Sequence, residues 1–276
     1  MVVQGLTVAY FSPTGTSRKV AESIANGVHC ANVSTLDLTH APASAMVASD
    51  NLTIVAMPVY GGHLPPLAVE RMRDLRADGA PAVAVVVYGN RAYEHALEEL
   101  AELLAGNGFK VIAAATFIGE HSYSTAQLPI AQGRPDAKDL SFAEQFGEKV
   151  AAKLSRLTAL APASQVDIKK IRKPRQHPFA MMRFTIGAMR MIMGKVRMPL
   201  TPSVDETLCL HCGKCASLCP TCAIRAGEEQ VTDKTRCIKC CACVKGCPVG
   251  ARTFPTPFAK LLAANFKHRK SPKQLL

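Results

Sequence analysis

Two stretches of this chain share one spacing: CLHCGKCASLCP from Cys209 to Pro220, and CIKCCACVKGCP from Cys237 to Pro248. Each places cysteines at steps of three, three and four residues and ends in Cys-Pro, and the second repeats the first at an offset of 28. Asp205 and Thr207 recur as Asp233 and Thr235, so the segment reads as an internal duplication. Ten of the eleven cysteines lie between 209 and 247. Thiols gathered at ligand spacing, rather than scattered as for bridges, belong in a reducing compartment, and the expected location is the cytoplasm.

The pattern C-x2-C-x2-C-x3-C-P resembles the bacterial ferredoxin signature for a [4Fe–4S] cubane. Three thiolates on a tightly curled loop can face three irons of one cube. The chain then leaves through the Cys-Pro turn, and the fourth thiolate crosses to the other cluster. The expected ligand sets are therefore Cys209, Cys212, Cys215 and Cys247 for one cluster, and Cys237, Cys240, Cys243 and Cys219 for the second. Paired zinc knuckles are the competing reading. They use two C-x2-C pairs and need neither the third step nor the trailing Cys-Pro. Cys222 and Cys241 have no ligand role in this scheme and read as small buried packing residues, as does Cys30.

At 276 residues the chain has room for about two domains. With 48% hydrophobic and 20% charged residues it is globular in character. The opening MVVQGLTVAYFS has no basic n-region or cleavage site, so no signal peptide is expected. No apolar run approaches the ~18 residues that span a bilayer. The net charge of +12 is unevenly spread. Residues 1–158 carry 12 basic and 15 acidic groups, residues 159–203 carry 9 and 1, residues 204–256 carry 7 and 5, and residues 257–276 carry 5 and none. The excess sits in a connecting segment and a tail, and neither folded domain reads as a nucleic-acid module.

In LTVAYFSPTGTSRKVAESIANGV, an apolar β run leads through a small-residue loop into a helical pattern with Val20, Ile24 and Val28 on one face. A strand, a hydroxyl-rich loop and a helix N-terminus together make an anion site. Ser12, Thr14, Gly15, Thr16 and Ser17 supply it, without the lysine of a P-loop or the G-x-G-x-x-G of a dinucleotide fingerprint. Further β runs are expected at about 33–38, 51–57, 82–88 and 110–118, with helices near 66–76, 93–105 and 138–157. The alternation predicts a five-stranded, doubly wound parallel sheet.

SPTGTS resembles the flavodoxin phosphate loop, and taken with the cysteine runs the chain resembles the flavodoxin–ferredoxin fusion proteins of anaerobic bacteria. GEHSYST (119–125) and GRPD (133–136) are also similar to stretches of that family, although no chemistry attaches to them. The resemblance implies one FMN and two [4Fe–4S] clusters. It also implies strand order 2-1-3-4-5, with the flavin at the carboxyl ends of the first, third and fourth strands. The second loop there offers Pro58, Tyr60, Gly61 and Gly62, and the third offers Gly89, Asn90, Arg91 and Tyr93. With no tryptophan in the chain, Tyr60 and Tyr93 are the first choices to stack on the ring. No carboxylate lies in 57–65 or 88–93, whereas Arg91 and His63 do. Arg91 facing the ring would favour its anionic, two-electron-reduced form.

The expected organisation is a flavodoxin-like domain (1–158), a basic connector (159–203), a ferredoxin domain (204–256) and a basic tail (257–276). Pro178 and Pro199 bracket a connector helix. On it Arg183, Arg190 and Arg197 share one face, and Ala180, Gly187 and Gly194 another. Its segment 178–198 reads either as packing on its own domains or as a contact for a membrane surface or an acidic partner. The function expected is electron transfer between the clusters and FMN, joining one-electron and two-electron partners, with redox proteins or a small acceptor at either end. The alternatives are a flavin-dependent reductase of a quinone or similar acceptor, and an interaction module with structural or sensory clusters.

Overall fold

The computed structural model describes residues 3–157, 164–195 and 199–276. Contacts divide the chain into two compact units. The first is Met1–Glu120, Gly133–Pro174 and Arg269–Leu276, and the second is His121–Gln132 and Arg175–His268.

The first unit is an alternating β/α structure. Its elements run β1 (Gly5–Tyr10), α1 (Thr16–Val28), β2 (Val33–Asp37), β3 (Ser44–Val47), β4 (Asn51–Pro58), α2 (Pro66–Arg71), β5 (Asp74–Ala77), β6 (Pro81–Tyr88), α3 (Ala96–Gly106), β7 (Lys110–Ile118) and α4 (Ala137–Arg156). Near-continuous apolar strands such as PAVAVVVY in β6 are buried along their whole length, as helices on both faces of a parallel sheet require. Val83, Val85 and Val87 join Val20, Ile24, Phe146 and Val150 in the cluster under α1 and α4. Leu97, Leu100 and Leu104 of α3 are fully buried as well. Asp136 caps α4 by accepting from the backbone N–H groups of Lys138 and Asp139.

Three features depart from the expected five-strand scheme. The helix read at 66–76 stops at Arg71, and residues 74–77 become β5, which pairs in parallel with β3 as a separate ribbon. The buried Asn107 side chain explains the stop: its amide donates to the carbonyls of Met72 (3.0 Å) and Leu75 (2.9 Å), fixing a turn there. The main sheet has six strands, because residues of the basic tail return to it as described below. Lastly, the 159–203 connector is no independent segment. Its residues up to Pro174 belong to the first unit and those from Arg175 to the second.

The second unit holds α5 (Pro178–Arg190), a π turn (Met191–Lys195), β8 (Ser203–Val204), α6 (Lys214–Ser217), α7 (Ala242–Lys245), β9 (Arg252–Thr253) and α8 (Pro257–Asn265). The connector helix thus ends at Arg190, not near Pro199, and Arg197 lies outside the described residues. Gly187 marks where α8 comes close, since a Cβ there would lie 2.6 Å from Leu261. Phe184 packs edge-on against Phe258 and Phe266, closing a small core with Ile130 and Leu262. Residues 121–132 also belong here: Tyr123 packs on Phe254, and Lys245 donates to the carbonyl of Ser124. The GEHSYST stretch therefore supplies part of the second unit's core.

The tail divides in the same way. Residues 257–265 form α8, while β10 (Lys273–Leu275) adds antiparallel to β7 at the sheet edge of the first unit. The resulting order is β10-β7-β6-β4-β1-β2. Arg269 pairs with Asp136, and the buried Arg134, itself held by Asp139, donates to the carbonyl of Lys270. That is the role of GRPD: it anchors the returning strand. Among the described residues no helix is long and apolar enough to cross a membrane.

Candidate cofactor sites

The cysteine runs curl around two separate cavities. One, of about 330 Å³ including its mouth, is lined by Cys209, Cys212, Cys215 and Cys247, together with Glu229 and Arg252. The other, of about 320 Å³, is lined by Cys219, Cys237, Cys240 and Cys243, with Cys241 and Ile238 beside them. In each case the fourth sulfur comes from the opposite run. Among the described residues no group of three or more His, Cys, Asp or Glu closes to single-ion geometry. Four cysteines round each mostly apolar cavity supply the all-sulfur donor chemistry that an iron–sulfur cluster uses.

The backbone repeats as strictly as the cysteines. Asp205 accepts from both the N–H and the hydroxyl of Thr207 (3.0 and 2.6 Å), and Asp233 does the same with Thr235 (2.8 and 2.7 Å). The two halves also exchange bonds, Asp205 N–H to the Ala251 carbonyl and Asp233 N–H to that of Ala223, each 2.8 Å. Left-handed φ values fall in matched pairs: His211 with Lys239 (51° and 58°), Gly213 with Cys241 (69° and 59°), and Cys222 with Gly250 (50° and 66°). Both extra cysteines therefore stand where the sister half has glycine. Cys241 is 2% exposed, as a packing residue would be, but Cys222 is exposed, so the packing role fails for it.

Arg252 is the residue sequence reasoning missed here. It is 3% exposed, and its guanidinium donates to Cys243 Sγ (3.5 Å), to the Glu229 carbonyl and to Thr232 Oγ1. Its Nε is buried without a partner among the described residues. Burial pushes the Cys215 and Cys243 thiols up, and Arg252 opposes this at both by charge and hydrogen bonding. One buried cation thus touches a sulfur of one quartet and lines the cavity of the other. Burial raises Cys240 to about 12, so its surroundings disfavour the charged thiolate. Cys247 is the reverse case. Burial works against its charge, yet backbone N–H groups of Arg252, Val249, Ala251 and Gly250 hold its thiol below the ordinary range. The only advance signal for Arg252 was its place in the repeat, where the other half has Ile224.

At the carboxyl end of β1, Gly15 (φ 80°) opens α1 with no side-chain cap. Ser12 Oγ accepts from the Arg18 N–H (3.0 Å), and Ser12 N–H donates to Thr39 Oγ1 (2.8 Å). The backbone N–H groups of Thr14, Thr16 and Ser17 have no acceptor among the described residues. Ser17 Oγ is fully buried and likewise unpartnered. An uncapped helix N-terminus with an orphaned hydroxyl fits a phosphate monoester.

The other two loops are locked together. Tyr60 and His63 exchange backbone bonds around Gly61 and Gly62, while His95 and Ala96 N–H both donate to the Gly62 carbonyl at 3.0 Å. A side chain at Gly62 would strike the carboxylate of Glu94. Two sequence expectations change at this point. Tyr93 is 2% exposed and packs edge-on to Tyr88, so it has no open face for stacking, and Tyr60, half-buried, is left for that task. Arg91 forms an ion pair with Glu94, one residue past the stretch read as free of carboxylates, so it is not a bare cation. Lys270 of the returning tail donates to the Arg91 carbonyl at 2.5 Å, and burial beside Arg91 lowers its pKa to about 8. Pro58 ends β4, half-buried, and Gly89 and Asn90 turn the chain after β6, Asn90 with φ 64°. His63 pairs with Glu99 and stacks on His95, at the rim of a groove between α2 and α3.

The flavodoxin family model matches residues 8–133. An archaeal flavodoxin aligns at 18% identity over 55% of this chain and 99% of its own length, with a TM-score of 0.37. Rubredoxin oxygen:oxidoreductase from Desulfovibrio gigas aligns at 17% identity over 57% of this chain and 38% of its own, with a TM-score of 0.40. A WrbA-like flavodoxin from Agrobacterium tumefaciens does so at 17% over 54% and 96%, with a TM-score of 0.36. No curated protein matches. Loop chemistry, sheet architecture and family model lead to one statement: the chain carries a flavodoxin-like domain.

Proposed function

We propose that this protein is an electron carrier that holds FMN in its first unit and two [4Fe–4S] clusters in its second. The single observation that carries the reading is the crossed lining of two cavities by eight cysteines, in a chain that also has a flavodoxin-like domain. When bound, the clusters supply one-electron chemistry and the flavin two-electron chemistry.

The roles of the chain's own residues follow from their places. Cys209, Cys212, Cys215 and Cys247 would hold one cluster, and Cys237, Cys240, Cys243 and Cys219 the other. Backbone N–H groups around Cys247, and Ala223 N–H at 3.2 Å from Cys219 Sγ, donate to sulfur and so favour added negative charge. The N–H groups of Thr14, Thr16 and Ser17, with the Ser17 hydroxyl, would take the FMN phosphate. Gly61, Gly62, Gly89 and Asn90 would present backbone to the ring edge, and Tyr60 its face. The Arg91–Glu94 pair keeps the third loop close to neutral. Carrying both redox modules on one chain replaces a diffusional meeting with a high effective concentration. Redox proteins or a small acceptor would be the partners, in a compartment that keeps thiols reduced.

Anaerobic purification followed by counts of iron, sulfide and flavin tests the reading. The expected result is about eight irons, about eight sulfides and one FMN per chain. Reductive titration should then bleach both chromophores in one molecule. Stoichiometric zinc in place of iron, or clusters that reduce while the flavin never does, would overturn it.

A further inference from the structure

The inner side of α5 packs on α8, but its outer side is apolar too. Phe179, Met182, Ile186, Met189 and Met193 are 67%, 53%, 52%, 55% and 66% exposed. Steps of three, four, three and four residues hold them in one stripe along the helix and its π turn. Arg183 and Arg190, seven residues apart and exposed, run beside that stripe, about 20–40° from Phe179 at 100° per residue. The sequence around it is charged in one sense only, with nine lysines and arginines and no acidic residue between Asp167 and Asp205.

We propose that this face of α5 seats the protein on an anionic lipid surface, with the helix lying in the interfacial plane. The helix spans only about 20 Å at 1.5 Å per residue, which suits lying in the interface and not crossing it. Long, flexible methionine side chains, together with Phe179 and Ile186, enter the acyl boundary without needing a shaped pocket. Arg183 and Arg190 flank the apolar tips, where their guanidinium groups stay at headgroup level while their stems lie along the stripe. Each cation near an anionic leaflet adds attraction, and no carboxylate in the segment offsets it. A protein groove would call for shape-specific anchors, whereas the stripe is unbroken and lacks tyrosine and tryptophan. The argument needs neither cofactor, so it stands apart from the electron-carrier reading.

Sedimentation of the full, cofactor-loaded chain with vesicles tests the proposal. Binding to phosphatidylcholine vesicles containing phosphatidylglycerol should exceed that to pure phosphatidylcholine by at least about tenfold and weaken as salt rises. Ile186→Ser with Met189→Ser should lose at least about tenfold of that binding, with iron and flavin content unchanged. Arg183→Gln with Arg190→Gln should retain residual binding but flatten the salt dependence. Equal binding to neutral and anionic vesicles would overturn the proposal, as would wild-type binding by the Ile186→Ser and Met189→Ser variant. Two other results would do so by assigning the face elsewhere. One is lipid-free self-association abolished by the same serine substitutions. The other is capture by a polyglutamate matrix with no vesicle binding.

Discussion

The two halves of the cysteine-rich unit share backbone, cysteine spacing and Asx turns, and they differ where a side chain has been let in or kept out. Gly213 faces Cys241, Cys222 faces Gly250, and Ile224 faces Arg252 across the 28-residue offset. The first two exchanges put an L-residue into a left-handed backbone that the sister half gives to glycine, a conformation that costs roughly 1–2 kcal/mol. The third replaces a buried apolar side chain with a buried cation that lines one cavity and reaches a sulfur of the other quartet. A duplicated scaffold thus fixes where eight sulfurs go, while single positions make the two cavities electrostatically different.

The largest expected effect tests what the halves share. If the fourth sulfurs cross, Cys219→Ser should cost the cavity of the second run, and iron per chain should fall from about eight to about four. Adding Cys219→Ser to Cys237→Ser should then remove no further iron, whereas adding it to Cys209→Ser should remove nearly all. The opposite pattern would mean uncrossed wiring and break the symmetry argument. Next comes Arg252→Ile, which makes the halves alike at their main point of difference. Iron content should stay near wild type while both cluster potentials move lower, with Arg252→Lys in between; potentials unchanged from wild type would show that the cation serves packing alone. Cys222→Gly should stabilise the loaded protein by about 1 kcal/mol in urea, since an exposed side chain gives little back for its backbone strain. Cys241→Gly is the smallest effect, within about 0.5 kcal/mol of wild type, because relief of strain is offset by the space its buried thiol leaves. A large loss in Cys241→Gly would give that thiol a role beyond filling space.

Local pattern was legible in the sequence, and returns over long distances were not. The strands at 51–58, 81–88 and 110–118 stand where apolar runs place them, because a buried parallel strand writes itself as an unbroken stretch of Val, Ile and Ala. The short ribbon of β3 and β5 was hidden, since SAMV and DLRA have no such run and β5 is held by Asn107 some thirty residues on. The last strand read as a basic tail because Lys273 and its neighbours carry charge, while their pairing with Ala114–Thr116 is a property of the edge they join. At the sites, the grouping of the cysteines around two cavities and the uncapped start of α1 follow local sequence, because cysteine spacing and helix starts are local. The Arg91–Glu94 pair slipped past a window that closed one residue early, and the enclosure of Tyr93 depends on Tyr88. Arg252 could have been found by asking which repeat positions change chemical class.

The return of β10 to the first sheet has a consequence for the order of assembly. The chain passes from one unit to the other four times, so neither unit is a continuous piece of polypeptide. On the ribosome, the free edge of β7 must wait until both cysteine runs have emerged before its last neighbour exists. A gene cut at any single crossing would leave at least one unit missing a part of itself.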